Sequence, residues 1–253
     1  MNKNDYIAVF DSGVGGISVL RHLVRVMPSE RYLYFGDSAN APYGTKTKEE
    51  VRNLTFAAAK MLMERGIKAL VVACNTATSA AIQDLRRAWP ELIIIGIEPA
   101  LKLAADKFPG GHLGVMATPM TLREEKFARL MERFQESCEI HKIPAPGLVE
   151  LIESGKADSP ETDALIRRLF APYPKLDALV LGCTHYPFAA KSISRVLGDG
   201  ITLLDGGDGT ARETKRRLKE ACLLRTGEGT VAILNSRDEP ELLALSARLL
   251  EEG

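Results

Sequence analysis

Charge of one sign, cysteine pairs and long apolar runs are all scarce in this chain of 253 residues. Lys plus Arg equals Asp plus Glu at 33 each, so no net field is available to draw in nucleic acid or an acidic membrane surface. The basic clusters Arg86–Arg87, Arg167–Arg168 and Lys215–Arg216–Arg217 have acids nearby and read as solvated helix faces. No stretch approaches the roughly 20 apolar residues that span a bilayer. The segment Met1–Asp5 is polar and runs directly into a strand pattern, which argues against a signal peptide and for a cytoplasmic protein. The four cysteines, Cys74, Cys138, Cys183 and Cys222, show no CxxC or CxxH spacing, so zinc and dithiol redox signatures are missing. The glycine-rich segment Phe10–Ser18 lacks both the G-x-G-x-x-G spacing of dinucleotide folds and the P-loop lysine.

What is present is alternation. Short β-branched runs at 7–10, 32–35, 69–73, 92–97, 113–116, 178–181, 201–204 and 231–234 are separated by helical patterns at 17–27, 48–65, 78–88, 123–136 and 209–221. Continuous apolar strands between helices predict an α/β fold with parallel sheets covered on both faces. An internal repeat divides it. Ile7–Gly13 resembles Leu113–Pro119, and Leu70–Thr76 resembles Leu179–His185; 63 residues separate 11 from 74, and 66 separate 117 from 183. Two similar parallel-sheet halves are expected, residues 1–97 with 208–253 and residues 98–207. A pseudo-two-fold axis would relate them, with the active site in the cleft between. Helix N-termini and strand carboxyl ends at such a crevice bind small anions.

The repeat places two thiols at equivalent points. Cys74 ends an apolar strand and is followed by the helix-capping types Asn75, Thr76 and Thr78. A thiol there meets the positive end of a helix dipole, which favours thiolate; a buried core cysteine is the alternative. Cys183 follows Gly182, which permits close backbone approach, and precedes His185 and Pro187. Asp11, at the glycine-rich turn, is either a helix cap or a proton-relay group. The segments Gly36–Gly44 and Pro146–Glu153 complete the set, the second carrying Glu150 and Glu153.

FDSGVGG (10–16), APYG (41–44), ACNTAT (73–78), GVMATPMT (114–121), PGLVE (146–150) and LGCTHYP (181–187) together resemble the bacterial glutamate racemases of the aspartate/glutamate racemase superfamily. The resemblance implies a cofactor-independent, metal-free exchange of the α-proton of glutamate by a two-base mechanism, with Cys74 and Cys183 as the bases. It implies that Asp11 supports Cys74, and that His185 and Glu150 support Cys183. Asp11, Ser12, Tyr43, Gly44, Asn75, Thr76, Thr184 and His185 would bind the substrate. A homodimer supplying D-glutamate for peptidoglycan would follow. Ala145 stands where similar sequences commonly have a cysteine, without touching either base. Competing readings are a relative acting on aspartate or another small acid, a two-lobed amino-acid-binding protein, and a cysteine hydrolase. Paired strand-end thiols count against the last two.

Overall fold

A computed structural model describes residues 1–123 and 125–251. The chain forms two compact units, one from Met1–Glu98 and the segment from Gly207 onward, the other from Pro99–Gly206.

The first unit opens with β1 (Tyr6–Asp11), α1 (Ile17–Val26), β2 (Arg31–Gly36), α2 (Lys48–Met63), β3 (Ile67–Val72), α3 (Asn75–Ala88) and β4 (Ile93–Gly96). In the second unit lie α4 (Leu101–Lys107), β5 (His112–Ala117), α5 (Pro119–Arg123), α6 (Glu125–Glu132), β6 (Glu139–Pro144), α7 (Leu148–Glu153), α8 (Pro160–Phe170), β7 (Ala178–Leu181), α9 (Ala190–Leu197) and β8 (Thr202–Asp205). The chain then returns to the first unit with α10 (Gly207–Glu220), β9 (Thr230–Asn235) and α11 (Pro240–Glu251). Glu124, inside the helical pattern expected at 123–136, lies outside the described residues.

Every strand pair is parallel, in the orders β4-β3-β1-β2-β9 and β6-β5-β7-β8. Read from the other end, the second order is β8-β7-β5-β6, which matches β4-β3-β1-β2. Thus β1 corresponds to β5 and β3 to β7, the same pairs that the sequence repeat links. The counterpart of β2 is β6, which hydrophobic patterning did not reveal. Its sequence, EIHKIP, is charged and sits at a sheet edge, where one side of the strand has no neighbour to demand apolar residues.

Local chemistry fixes where helices begin. Thr47 and Glu50 form a reciprocal capping box at α2, and Ser159 caps α8, with Pro160 in its first turn. Central strands β1 and β3 are almost wholly buried, as parallel strands covered on both faces must be. No helix among the described residues is long and apolar enough to cross a membrane.

The discontinuous first unit is fastened by a buried ion pair. Lys68 Nζ donates to Glu30 Oε2 at 2.5 Å and to the Leu223 carbonyl at 3.0 Å, while Glu30 Oε1 accepts the Arg225 N–H at 2.9 Å. Neither charged side chain is more than 1% exposed. The bonds join β3 and the start of β2 to the segment that leads into β9.

Candidate active site

In the first unit, ladder hydrogen bonds run to the very ends of the strands. The Ala73 N–H reaches the Phe10 carbonyl at 2.8 Å, and the Asp37 N–H reaches the Asp11 carbonyl at 2.9 Å. Asp11, the last residue of β1, is therefore delivered side by side with Asp37 and Cys74, which lie just beyond β2 and β3. Cys74 itself caps α3, its sulfur accepting the Ala77 N–H at 3.5 Å. The sequence pointed to Asn75, Thr76 or Thr78 as the cap. Asn75 and Thr76 instead form the first turn, and Thr78 Oγ1 turns back to the Val72 carbonyl at 3.0 Å. The change matters chemically: the thiol, not a neutral hydroxyl, occupies the positive end of the helix. Ser12 Oγ lies 3.4 Å from the sulfur.

The glycine-rich turn is a packing device. A Cβ at Gly16 would come within 2.6 Å of Asp11 Cβ, and one at Gly36 within 2.4 Å of the Gly13 carbonyl oxygen. The loop is pressed against β2, where the Tyr34 hydroxyl donates to the same Gly13 oxygen at 2.6 Å. Asp11 is fully buried and accepts the Gly13 N–H at 3.0 Å.

In the second unit the same construction recurs. The Gly182 N–H reaches the Met116 carbonyl at 2.7 Å, and a Cβ there would meet Ala117 Cβ and that same oxygen at 3.0 Å. The glycine lets β7 close on β5 just before Cys183. His185 Nδ1 lies 3.8 Å from Cys183 Sγ, and its Nε2 lies 2.9 Å from Glu153 Oε1. Burial opposes charge on this imidazole, but its hydrogen bonds to Cys183 and Glu153, and their negative charge, outweigh that and raise its pKa well above the usual value. The cysteine, histidine and carboxylate thus form a chain in which the imidazolium is favoured.

The sequence matches the Asp/Glu/Hydantoin racemase family over residues 8–214. The chain belongs to this family. A glutamate racemase of Clostridium botulinum (strain Alaska E43 / Type E3) is 49% identical over 99% of this chain and 99% of its own length. The crystal structure of glutamate racemase from Thermus thermophilus in complex with β-chloro-D-alanine superposes with a TM-score of 0.83 at 38% identity, covering 99% of this chain and 95% of that one. Escherichia coli glutamate racemase, in complex with L-glutamate and the activator UDP-MurNAc-ala, gives 0.85 at 29% identity over 98% of this chain and 92% of that one.

In this racemase the remaining candidate residues distribute as follows. Asn75 and Thr76 are buried at the start of α3, and Thr184 is buried beside Cys183. The Tyr43 hydroxyl donates to Asp37 Oδ2 at 2.7 Å. Burial, that bond and the negative charge of Asp37, Cys74 and Asp11 push its pKa far up, so it stays a neutral donor. Gly44 follows it, half-buried. Asp37 is not among the residues the sequence singles out; the available signal is its position just past β2, next to Asp11 at the end of β1.

Glu150, expected to support Cys183 together with His185, is not the carboxylate hydrogen-bonded to that imidazole. The carboxylate against His185 belongs to Glu153, whereas Glu150 is exposed in the first turn of α7. Leu148 and Ile152 mark the buried stripe of that helix, and Glu153 follows, half-buried, at its carboxyl end. Residues three apart share a side of a helix but differ in height by about 4.5 Å. Among the two acids, height decides which reaches the imidazole. Glu150 still contributes negative charge that, after burial and Cys183, raises the pKa of Tyr186.

Proposed function

We propose that the protein interconverts L- and D-glutamate without a cofactor, with Cys74 and Cys183 as the two acid/bases. The observation that carries this reading is their matched placement. Each thiol follows a strand holding the same position in its sheet order, β3 in one unit and β7 in the other. The names of the relatives supply the substrate.

The α-carbon of an amino acid is a weak acid, so a base must be paired with stabilisation of the charge that develops on the carboxylate. A thiol, with an unperturbed pKa near 8.5, can serve as base when ionised and as acid when not. One sulfur takes the α-proton while the other delivers a proton to the opposite face, and the roles exchange in the reverse direction. Backbone N–H groups at the start of α3, with Asn75, Thr76 and Thr184, are neutral donors for the carboxylate. Asp11 and Ser12 attend Cys74. His185, backed by Glu153, attends Cys183. Tyr43 and Gly44 shape the substrate side of the first unit, since the phenol is committed to Asp37. Free thiols suit a reducing cytoplasm, the compartment we assign. A homodimer feeding D-glutamate into peptidoglycan is the biological role we infer from the family resemblance.

Isotope exchange tests the mechanism. Enantiomers have equal free energy in an achiral solvent, so every variant keeps equal kcat/KM in the two directions, and rate ratios cannot reveal which thiol serves which face. In D₂O, Cys74→Ser should fail to racemise yet exchange the α-hydrogen of L-glutamate with retention, through Cys183. Cys183→Ser should exchange D-glutamate instead. Exchange of the same enantiomer by both variants would overturn the assignment of faces. Near-native racemisation by either would sink the two-thiol mechanism, and turnover of aspartate in preference to glutamate would sink the substrate.

A further inference from the structure

Strands β5 and β6 carry a side-chain cluster that the racemase chemistry does not use. Their parallel register sets His112 opposite Glu139, and His141 follows two residues after Glu139 on the same face. His112 Nδ1 lies 3.3 Å from His141 Nε2 and 3.4 Å from Glu139 Oε2, while His141 Nε2 lies 3.4 Å from Glu139 Oε1. A tetrahedral ion with bonds of about 2.0–2.1 Å holds its ligand atoms roughly 3.3–3.4 Å apart along each edge. The two ring nitrogens already stand at that spacing, each has one Glu139 oxygen at a similar distance, and one potential ligand atom from each of the three residues lies within 4.8 Å of the others.

We propose that His112, Glu139 and His141 form a binding site for a late first-row divalent cation, Zn²⁺ above all, with water completing the tetrahedron. Two imidazoles and a carboxylate suit zinc, whereas calcium and magnesium prefer oxygen ligands. Without the ion, the two ring nitrogens share a hydrogen bond, one donating its N–H to the lone pair of the other. The cation takes the place of that proton, and rotation of the rings turns both lone pairs toward it.

The surroundings hold the ligands in place. Tyr173 packs edge-on against His141, with ring centres 6.2 Å apart, and its hydroxyl donates to the Lys142 carbonyl at 2.7 Å. Asp177 Oδ2 accepts the backbone N–H of His112 at 2.8 Å and fixes the start of β5. The cluster occupies the amino-terminal halves of β5 and β6, whereas Cys183 follows the carboxyl end of β7. The ion therefore braces the edge of the second sheet and takes no part in proton transfer.

Titration of the chelator-stripped full chain with Co²⁺ and Zn²⁺ tests the site. One equivalent of Co²⁺ should give the visible spectrum of nitrogen and oxygen ligation, with no thiolate charge-transfer band. Zn²⁺ should raise Tm as ligand binding to the folded state requires. His112→Ala and His141→Ala should each weaken binding by more than about tenfold, since loss of even an outer-shell partner costs that much. Glutamate turnover should be unchanged by stripping or by either variant. The more exposed His112→Ala serves alone if the other variant misfolds. Absence of binding, unaltered affinity in the histidine variants, or a thiolate band abolished by cysteine alkylation would each overturn the proposal.

Discussion

At the residue scale, the contact between His185 and Glu153 makes the sharpest claims. Glu153→Gln removes one of the influences that raise the imidazole pKa, so the alkaline limb of the kcat/KM profile should move to lower pH. We expect kcat to fall about tenfold, less than the roughly 10²–10⁴-fold attributed to groups that transfer the proton directly. Glu150→Gln should do neither, and a larger effect there would return the role to Glu150. The same pair affects stability. Because the folded pKa of His185 lies above its unfolded value, near 6.5, the contribution of the protonated ring is complete below about pH 6.5. It is lost as pH rises through the folded value. A urea denaturation series across neutral and alkaline pH should show this loss, and Glu153→Gln should flatten it. Alkylation should abolish turnover, with glutamate protecting Cys74 and Cys183, which mass spectrometry of labelled peptides can score.

At the element scale, the turns after the strands position the chemistry. Gly16→Ala drives a methyl into Asp11 and Tyr34. Overpacking of this kind costs about 1–3 kcal/mol, and the contact falls on the carboxylate beside the Cys74 strand. Denaturant unfolding together with kcat should therefore show reduced stability and reduced turnover; a fully active variant would remove Asp11 from the mechanism. The central elements were readable because burial on both faces forces continuous apolar runs such as Leu70–Ala73 and Leu179–Leu181. Strand β6 was not, because an edge position tolerates the Glu, His and Lys that hide it. The cap of α3 differs from the sequence expectation for another reason: a sulfur can accept an N–H where Asn and Thr, the usual caps, stand one residue too late.

At the scale of the whole molecule, the first unit depends on a segment that returns after more than a hundred residues. Glu30 and Lys68 are part of what closes that return. Removing one member of a buried ion pair strands the other, typically at about 3–5 kcal/mol. Glu30→Ala should lower stability by about that amount in denaturant unfolding, and a loss below about 1 kcal/mol would show that the pair is not holding the segment. Activity itself should survive exhaustive chelation and show no pyridoxal absorbance. Rescue of a stripped enzyme by pyridoxal phosphate or a metal would contradict the cofactor-independent reading.

The sequence alone determined the α/β class, the internal repeat and the two strand-end thiols. Each follows from local rules: apolar periodicity, capping types and the spacing of similar segments. Tertiary structure decided what depends on distance and depth. It selected Glu153 over Glu150 as the partner of His185, because about 4.5 Å of helix rise separates their heights. It committed the Tyr43 phenol to Asp37. It also brought His112 to Glu139 and His141, which are distant in sequence and become neighbours only when β6 pairs with β5.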